Sequence, residues 1–245
     1  MTALREIIRA FRFRRAGWLF AAALICLRCV GSSRLGAAGK EPPAVPSAPV
    51  VWQFDQIGSI AGRAPVVLGT PRIMEGVGGE FVQFDGAHDG LIVPVNPLAG
   101  LPQFTIELLI RPDASGGAEQ RFFHAQDESG NRVLFEIRLA PEGQWALDTF
   151  MLSGASRLAL LDRTRTHAAG QWHWVALRYD GRRMTSWVDG RQELQGALEF
   201  APMKSGQTSL GVRLNRVYWF KGAIREVRFH PTALAGEALQ KPTGD

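Results

Sequence analysis

Short runs in which apolar and polar residues alternate dominate the chain from Val51 onward. Successive side chains of a strand point to opposite faces, so this alternation predicts strands with one buried face. It is clearest at residues 104–111, 133–139, 174–179 and 223–229, which Gly, Pro or Asp-Gly separate. Outside the N-terminal segment, only residues 232–239 have the composition of a short helix. The pattern therefore predicts an all-β sandwich or barrel of antiparallel strands.

Two Asp-Gly pairs, 180–181 and 189–190, interrupt the aromatic-rich stretch QWHWVALRYDGRRMTSWVDGRQ at residues 171–192. Asp-Gly is a strong turn signal, so the pairs predict antiparallel strands that begin or end at each turn. The inward-facing side chains of these strands are expected to be Val175, Leu177, Tyr179 and Val188. Trp174 and Trp187 then lie on the opposite face.

The first 38 residues have the three parts of a secretory signal peptide. A basic stretch ends at Arg15, an apolar run covers residues 18–27, and small residues follow up to Ala38. The apolar run is half the roughly 20 residues that a membrane-spanning helix needs, although an uncleaved N-terminal anchor is the alternative. We therefore expect a secreted, periplasmic or cell-surface protein that meets a membrane only through an uncleaved leader.

Composition then divides the remaining chain. Residues 39–50 contain four prolines and predict an extended linker, residues 51–240 form the predicted domain, and residues 241–245 are a tail. Both cysteines, Cys26 and Cys29, lie in the leader, so cleavage near Ala38 would leave no disulfide and no cysteine-based metal site.

The basic character of the chain belongs to the leader. The formal net charge is +5, but residues 1–38 hold seven arginines and one acid. Residues 39–245 therefore carry 21 basic and 22 acidic residues, a net charge of −1. A near-neutral domain lacks the positive surface that binds phosphate backbones, so no nucleic-acid partner is expected.

Four segments, in order along residues 50–240, resemble the laminin G-like (LamG-type or pentraxin-like) domains of the concanavalin A-like lectin/glucanase group. They are Phe81-Val-Gln-Phe-Asp-Gly…Val-Pro94, Phe104-Thr-Ile…Arg111-Pro112, Trp172-His-Trp-Val-Ala-Leu-Arg-Tyr-Asp-Gly181 with Trp187-Val-Asp-Gly190, and Phe220-Lys-Gly-Ala-Ile-Arg-Glu-Val-Arg-Phe229. The resemblance implies a jelly-roll β-sandwich of two antiparallel sheets with one short C-terminal helical turn. It implies a binding or adhesion role more loosely, because one fold hosts many functions.

Calcium is a cofactor of some members of this group, and Asp85 and Asp89 are the candidate ligands in this chain. Relatives with a structural calcium often place an acidic residue where this chain has Arg225. A guanidinium group cannot supply the oxygen ligands that calcium requires. Arg225 therefore argues against a calcium site.

The same fold also carries glycoside hydrolases and lyases, some of which use carboxylates at positions i and i+2 of one strand. No two acids in this chain have that spacing, and no Gly-x-Ser-x-Gly elbow is present. His124, near Asp127 and Glu128, is interpreted as part of a solvated loop. His173 is interpreted as a hydrogen-bonded histidine of the core or sheet surface. A carbohydrate-active enzyme is thus the second alternative function.

Carbohydrate sites combine aromatic faces with hydrogen-bonding side chains, which makes four tryptophans the candidate ligand contacts: Trp187, Trp174, Trp145 and Trp219. The sequence therefore predicts an exported, non-catalytic module that recognises a carbohydrate or an extracellular protein surface. The first alternative is a structural or adhesion domain without a small-molecule ligand.

Overall fold

The computed structural model describes residues 48–242, which fold into two antiparallel β-sheets of eight strands each. The predicted all-β sandwich is confirmed. The predicted leader at 1–38, most of the linker and the last three residues of the tail lie outside the described residues. No helix within residues 48–242 is long and apolar enough to span a membrane.

The strands of sheet I are β1 (Val50–Gln53), β3 (Arg72–Met74), β4 (Phe81–Asp85), β6 (Phe104–Pro112), β12 (His173–Tyr179), β13 (Arg183–Val188), β14 (Arg191–Ala197) and β16 (Lys221–His230). Their order across the sheet is β14-β13-β12-β6-β16-β4-β3, and β1 also pairs with β16. Strand β4 pairs with residues 221–224 of β16 and β1 pairs with residues 226–229, so the two share one edge of β16.

The strands of sheet II are β2 (Val66–Leu68), β5 (Gly90–Val93), β7 (Glu119–Asp127), β8 (Arg132–Ala140), β9 (Gln144–Ser153), β10 (Ser156–Leu161), β11 (His167–Ala168) and β15 (Gly206–Leu210). Their order across the sheet is β10-β9-β8-β7-β15-β5-β2, and β11 also pairs with β9. Two single-turn 3₁₀ helices, Pro141–Gly143 and Gly236–Ala238, complete the regular structure.

The core lies between the sheets and is built from the alternating apolar positions. Strand β6 contributes Phe104, Ile106, Leu108 and Ile110, and β8 contributes Val133, Phe135 and Ile137, all fully buried. Large aromatic side chains from both sheets fill the interior, for example Phe123 of β7 and Phe229 of β16, whose ring centroids are 5.9 Å apart.

The predicted hairpin is confirmed. Strands β12 and β13 pair antiparallel, and their inward side chains Val175, Leu177, Tyr179 and Val188 are buried in the core. The turn after β13 has positive φ at Asp189 (50°) and Gly190 (72°), which is the backbone that favours Asp-Gly between two strands.

The C-terminal segment, residues 231–242, crosses the outward face of sheet I. The predicted helix over 232–239 is reduced to the turn Gly236–Ala238, because Ala235 and Leu239 on either side are extended. Hydrogen bonds to β6 hold the segment: Leu234 N donates to Thr105 Oγ1 at 2.9 Å, and Gln240 N donates to Glu107 Oε1 at 2.6 Å.

Candidate functional site

The four predicted tryptophans occupy different environments. Trp145 lies in β9 with its side chain in the core, fully buried, and its Nε1 donates to Ala168 O. Its ring has no face open to a ligand. Trp187 does lie on the outward face of sheet I, but the C-terminal segment covers it, and a Cβ at Gly236 would come within 2.5 Å of its ring. Trp219 is half-buried in the connection between β15 and β16.

Trp174 is the predicted residue that borders a cavity. This cavity, of about 780 Å³, lies on the part of the outward face of sheet I that the C-terminal segment leaves open. We call it the tryptophan–arginine cavity. Its walls are formed by Phe81, Leu109, Arg111, Trp172, Trp174 and Arg225, with the 75–78 loop on one side and Pro242 on another.

Aromatic rings and guanidinium groups alternate in this cavity. The rings of Phe81 and Trp172 meet edge to face, with centroids 5.3 Å apart. The Arg225 guanidinium lies 4.3 Å from the centroid of Trp172, and that of Arg111 lies 5.1 Å from it. These distances are within the range of cation–π attraction, so each ring helps to fix a cation beside it.

A β-bulge positions Arg225. The register of β16 against β6 shifts between Ile224 and Glu226, leaving Arg225 as the extra residue. This is also the point at which β4 gives way to β1 along the edge of β16. The guanidinium packs against Gly78, where a Cβ would lie 2.6 Å from Nη1, so a larger residue at that position would displace it.

The guanidinium group of Arg225 lacks hydrogen-bond acceptors in the described part of the chain. Its Nε and Nη2 are buried and have no hydrogen-bond acceptor among residues 48–242. Burial lowers the pKa of its guanidinium, and the nearby Arg111 cation lowers it further. These unpaired groups leave the Arg225 charge without a partner among residues 48–242, so the cavity combines aromatic faces with uncompensated positive charge.

Asp85 and Asp89, the predicted calcium ligands, form a turn. Asp85 Oδ1 accepts backbone hydrogen bonds from Ala87, His88 and Asp89 at 2.8–2.9 Å. Asp89 accepts from the amides of Thr70 and Asp85. Burial acts to raise the pKa of Asp85, but the three amides outweigh it and lower the pKa to about 2. Across residues 48–242, no three His, Cys, Asp or Glu side chains converge on a possible metal position.

The two histidine interpretations have different outcomes. His173 is buried and hydrogen-bonded, as predicted, with Asp189 Oδ2 at 2.8 Å from Nδ1 and Ala168 O at 3.0 Å from Nε2. The solvated-loop interpretation of His124 is wrong, because this residue lies within β7 and is 2% exposed. A register shift between Arg121 and Phe123 breaks the simple alternation that would have revealed the strand.

The outward face of sheet II carries a second depression, of about 230 Å³, which we call the charged groove. Glu136 and Asp148 face each other across β8 and β9, and Arg138 Nη2 donates to both, at 3.0 and 2.6 Å. Burial raises the pKa of both carboxyl groups. The spacing of i and i+2 along one strand does not identify this pair, because Glu136 and Asp148 lie on two neighbouring strands.

Several solved structures have a similar fold. Domain 4 of AbnA, a GH43 extracellular arabinanase from Geobacillus stearothermophilus solved with arabinotriose, is 21% identical with a TM-score of 0.56, covering 76% of this chain and 93% of that one. The receptor-binding domain of botulinum neurotoxin D is 12% identical with a TM-score of 0.57, covering 79% of this chain and 52% of that one. The binding domain of Paraclostridial Mosquitocidal Protein 1 is 12% identical with a TM-score of 0.56, covering 76% and 49%.

At these identities the likeness concerns the fold alone, and the chain spans about half the length of the latter two domains. No curated protein matches the sequence. The family model Laminin_G_3, described as the concanavalin A-like lectin/glucanases superfamily, matches residues 85–240. These matched residues include β6, the β12–β13 hairpin and the closing strand β16, and the chain therefore belongs to the Laminin_G_3 family of the concanavalin A-like lectin/glucanases superfamily.

Proposed function

We propose that this protein is an exported recognition module that binds carbohydrate in the tryptophan–arginine cavity. The observation that carries the proposal is the pairing of Trp172 and Phe81 with two guanidinium groups, from Arg111 and Arg225, around one opening. Sugar rings present apolar C–H faces and polar hydroxyl edges, and this lining offers a partner for each.

The size and the polarity of the cavity fit this use. A volume of about 780 Å³ lies within the range of small-molecule sites. Neither Arg111 nor Arg225 forms an ion pair with a carboxylate of the described chain, so their positive charges can attract hydroxyl or acidic groups of a glycan. Glu75 adds an acceptor at the wall.

The comparisons support a binding role without defining the ligand. The AbnA domain was solved with a bound arabinose oligosaccharide, and the toxin domains are receptor-binding or binding domains. Export rests on the leader-like pattern of residues 1–38, which predicts a secreted, periplasmic or cell-surface location. An extracellular protein is the alternative partner, and the fully exposed Val77 at the cavity wall is an apolar contact it would use.

A glycan array probed with the full chain tests the proposal. We expect binding to a subset of glycans, with equal signal in calcium and in EDTA. The Trp172→Ala variant removes an aromatic face and should weaken the best glycan roughly tenfold or more. Trp219→Ala is the matched control, since it removes the same side chain outside the cavity and should bind like wild type.

Two results would overturn the proposal: an array without signal in either condition, or retention of full affinity by Trp172→Ala. Loss of binding in Trp219→Ala alone would move the site to the β15–β16 connection. Melting curves of both variants establish that each is folded, so that a loss of binding can be assigned to the site.

A further inference from the structure

We propose that the basic end of the charged groove is a second binding site, which accepts an oxyanion, sulfate or carboxylate, free or carried by a sugar. The site lies between Arg132, from β8, and Arg213, from the β15–β16 connection, which both line the groove. His124 of β7 lies close enough to feel both cations. The inference does not depend on the proposed carbohydrate site.

The first argument is an excess of hydrogen-bond donors. Nε of Arg132 is buried and has no acceptor in the part of the chain that the structure describes. This arginine lines the groove. Buried donors without partners are rare in folded proteins, so this group calls for an acceptor from outside the chain.

His124 adds a second donor. Its Nδ1 accepts a hydrogen bond from the Leu214 amide at 3.2 Å. Burial, together with the Arg213 and Arg132 cations, lowers the pKa of the imidazole to about 3, although the Gln126 side chain acts to raise it. The ring is therefore neutral and carries its proton on Nε2, which is buried and has no acceptor at hydrogen-bond geometry within residues 48–242. Its cross-strand neighbour Leu134 lines the groove.

The second argument is uncompensated charge. Arg132 and Arg213 form no ion pair with any described carboxylate, and burial together with Arg213 lowers the pKa of the Arg132 guanidinium. The apolar ring of Phe150 lies 5.5 Å from the Arg132 guanidinium carbon. Two cations held close together beside an apolar ring are stabilised by an anion between them.

The acidic groups limit where the anion can lie. Glu136 and Asp148 occupy the other end of the groove, where Arg138 binds both and Arg121 Nη2 lies 3.0 Å from Glu136 Oε2. Their charge would repel an anion placed there. The remaining space is small, since the whole groove measures about 230 Å³, so it suits a single anionic group.

Calorimetric titration of the full chain with sodium sulfate and with sodium glucuronate, against chloride at equal ionic strength, tests the site. We expect saturable binding of one anion per chain, absent with neutral glucose. Arg213→Met should weaken it roughly tenfold or more, because one charge-assisted contact is lost. Arg182→Met is the matched control, since it removes an exposed arginine from the β12–β13 turn.

A readout on wild type keeps the test independent of any variant. The ¹⁵N and ¹H resonances of His124 Nε2 should shift on adding sulfate, while the indole signal of Trp172 stays in place. A shift confined to Trp172, or equal anion affinity in Arg213→Met and wild type, would overturn the proposal. Failure of glycan binding in Trp172→Ala leaves the sulfate titration unchanged, so the two proposals fail separately.

Discussion

The carboxylate of Asp189 lies 2.8 Å from Nδ1 of His173, across the mouth of the β12–β13 hairpin. Its other oxygen accepts the backbone amide of Trp174 at 2.9 Å. Asp189 lies in the turn that follows β13, and through these two contacts it also fixes the start of β12. Since Trp174 borders the tryptophan–arginine cavity, this contact links the family's hairpin motif to the geometry of the candidate site.

Asp189→Asn should destabilise the fold more at acidic than at alkaline pH. Burial acts to lower the pKa of His173, but Asp189 and the Ala168 carbonyl outweigh it, so the pKa is raised above 6.5. A raised folded-state pKa contributes stability that is fully present below about pH 6.5 and lost as pH rises through the folded value. Urea unfolding at about pH 5 and about pH 9 measures the difference.

The control for this prediction is Asp162→Asn, which removes a carboxylate that contacts Thr164 and Arg165 and no histidine. Its effect should be the same at both pH values. An Asp189→Asn deficit that is equal at both would contradict the assigned ion pair.

Arg138→Met should cost about 3–5 kcal/mol of unfolding free energy near neutral pH, because it leaves Asp148 buried without an ion pair, next to Glu136, which keeps only Arg121. Protonation relieves this repulsion, so the deficit should shrink as the pH falls towards about 4. Arg157→Met, at an exposed position of β10, is the control and should stay near wild type in the same urea titrations. A deficit independent of pH would contradict the electrostatic explanation.

Gly236→Ala should loosen the C-terminal segment. The new Cβ would lie 2.5 Å from the Trp187 ring, which cannot bend away as a flexible side chain does. We expect a loss of about 1–3 kcal/mol and faster hydrogen exchange at the amides of Leu234 and Gln240. Gly58→Ala, where nothing lies within 4 Å, should leave both unchanged. Slow exchange at these amides in Gly236→Ala would show that the segment stays in place.

Asp85→Ala should lower the unfolding free energy by about 1 kcal/mol at neutral pH, since three backbone amides lose their acceptor. The pKa of Asp85 is lowered to about 2, so its contribution is present above about pH 4 and lost as pH falls towards 2. The melting temperatures of wild type and variant should therefore converge in acid. A rise on adding calcium in wild type alone would instead assign Asp85 to a metal site.

The local sequence pattern is sufficient to predict the β12–β13 hairpin, but it does not predict which residues line the tryptophan–arginine cavity. Alternation and Asp-Gly turns are short-range signals, and they placed Val175 and Leu177 in the core correctly. Trp145 has the polar neighbours Gln144 and Asp148, which favour a carbohydrate contact, but in a strand such neighbours belong to the opposite face. They accompany a buried ring as readily as an exposed one.

The candidate cavity depends on relationships between distant segments. Arg225 is aimed by a bulge in β16, and no residue type in Ala-Ile-Arg-Glu-Val marks that bulge. Trp172 was visible as part of the family hairpin, yet its role follows from Phe81 and Arg111, which arrive on other strands. The covering of Trp187 likewise depends on a segment some 50 residues further along the chain.

Pro242 forms one wall of the tryptophan–arginine cavity, at the end of the segment that crosses sheet I. A fluorophore attached at residue 242 would lie at the wall of the cavity that we propose as the ligand site. Its emission would report occupancy directly, whereas immobilising the protein through the same residue would obstruct the opening. Binding assays are therefore better anchored elsewhere on the chain.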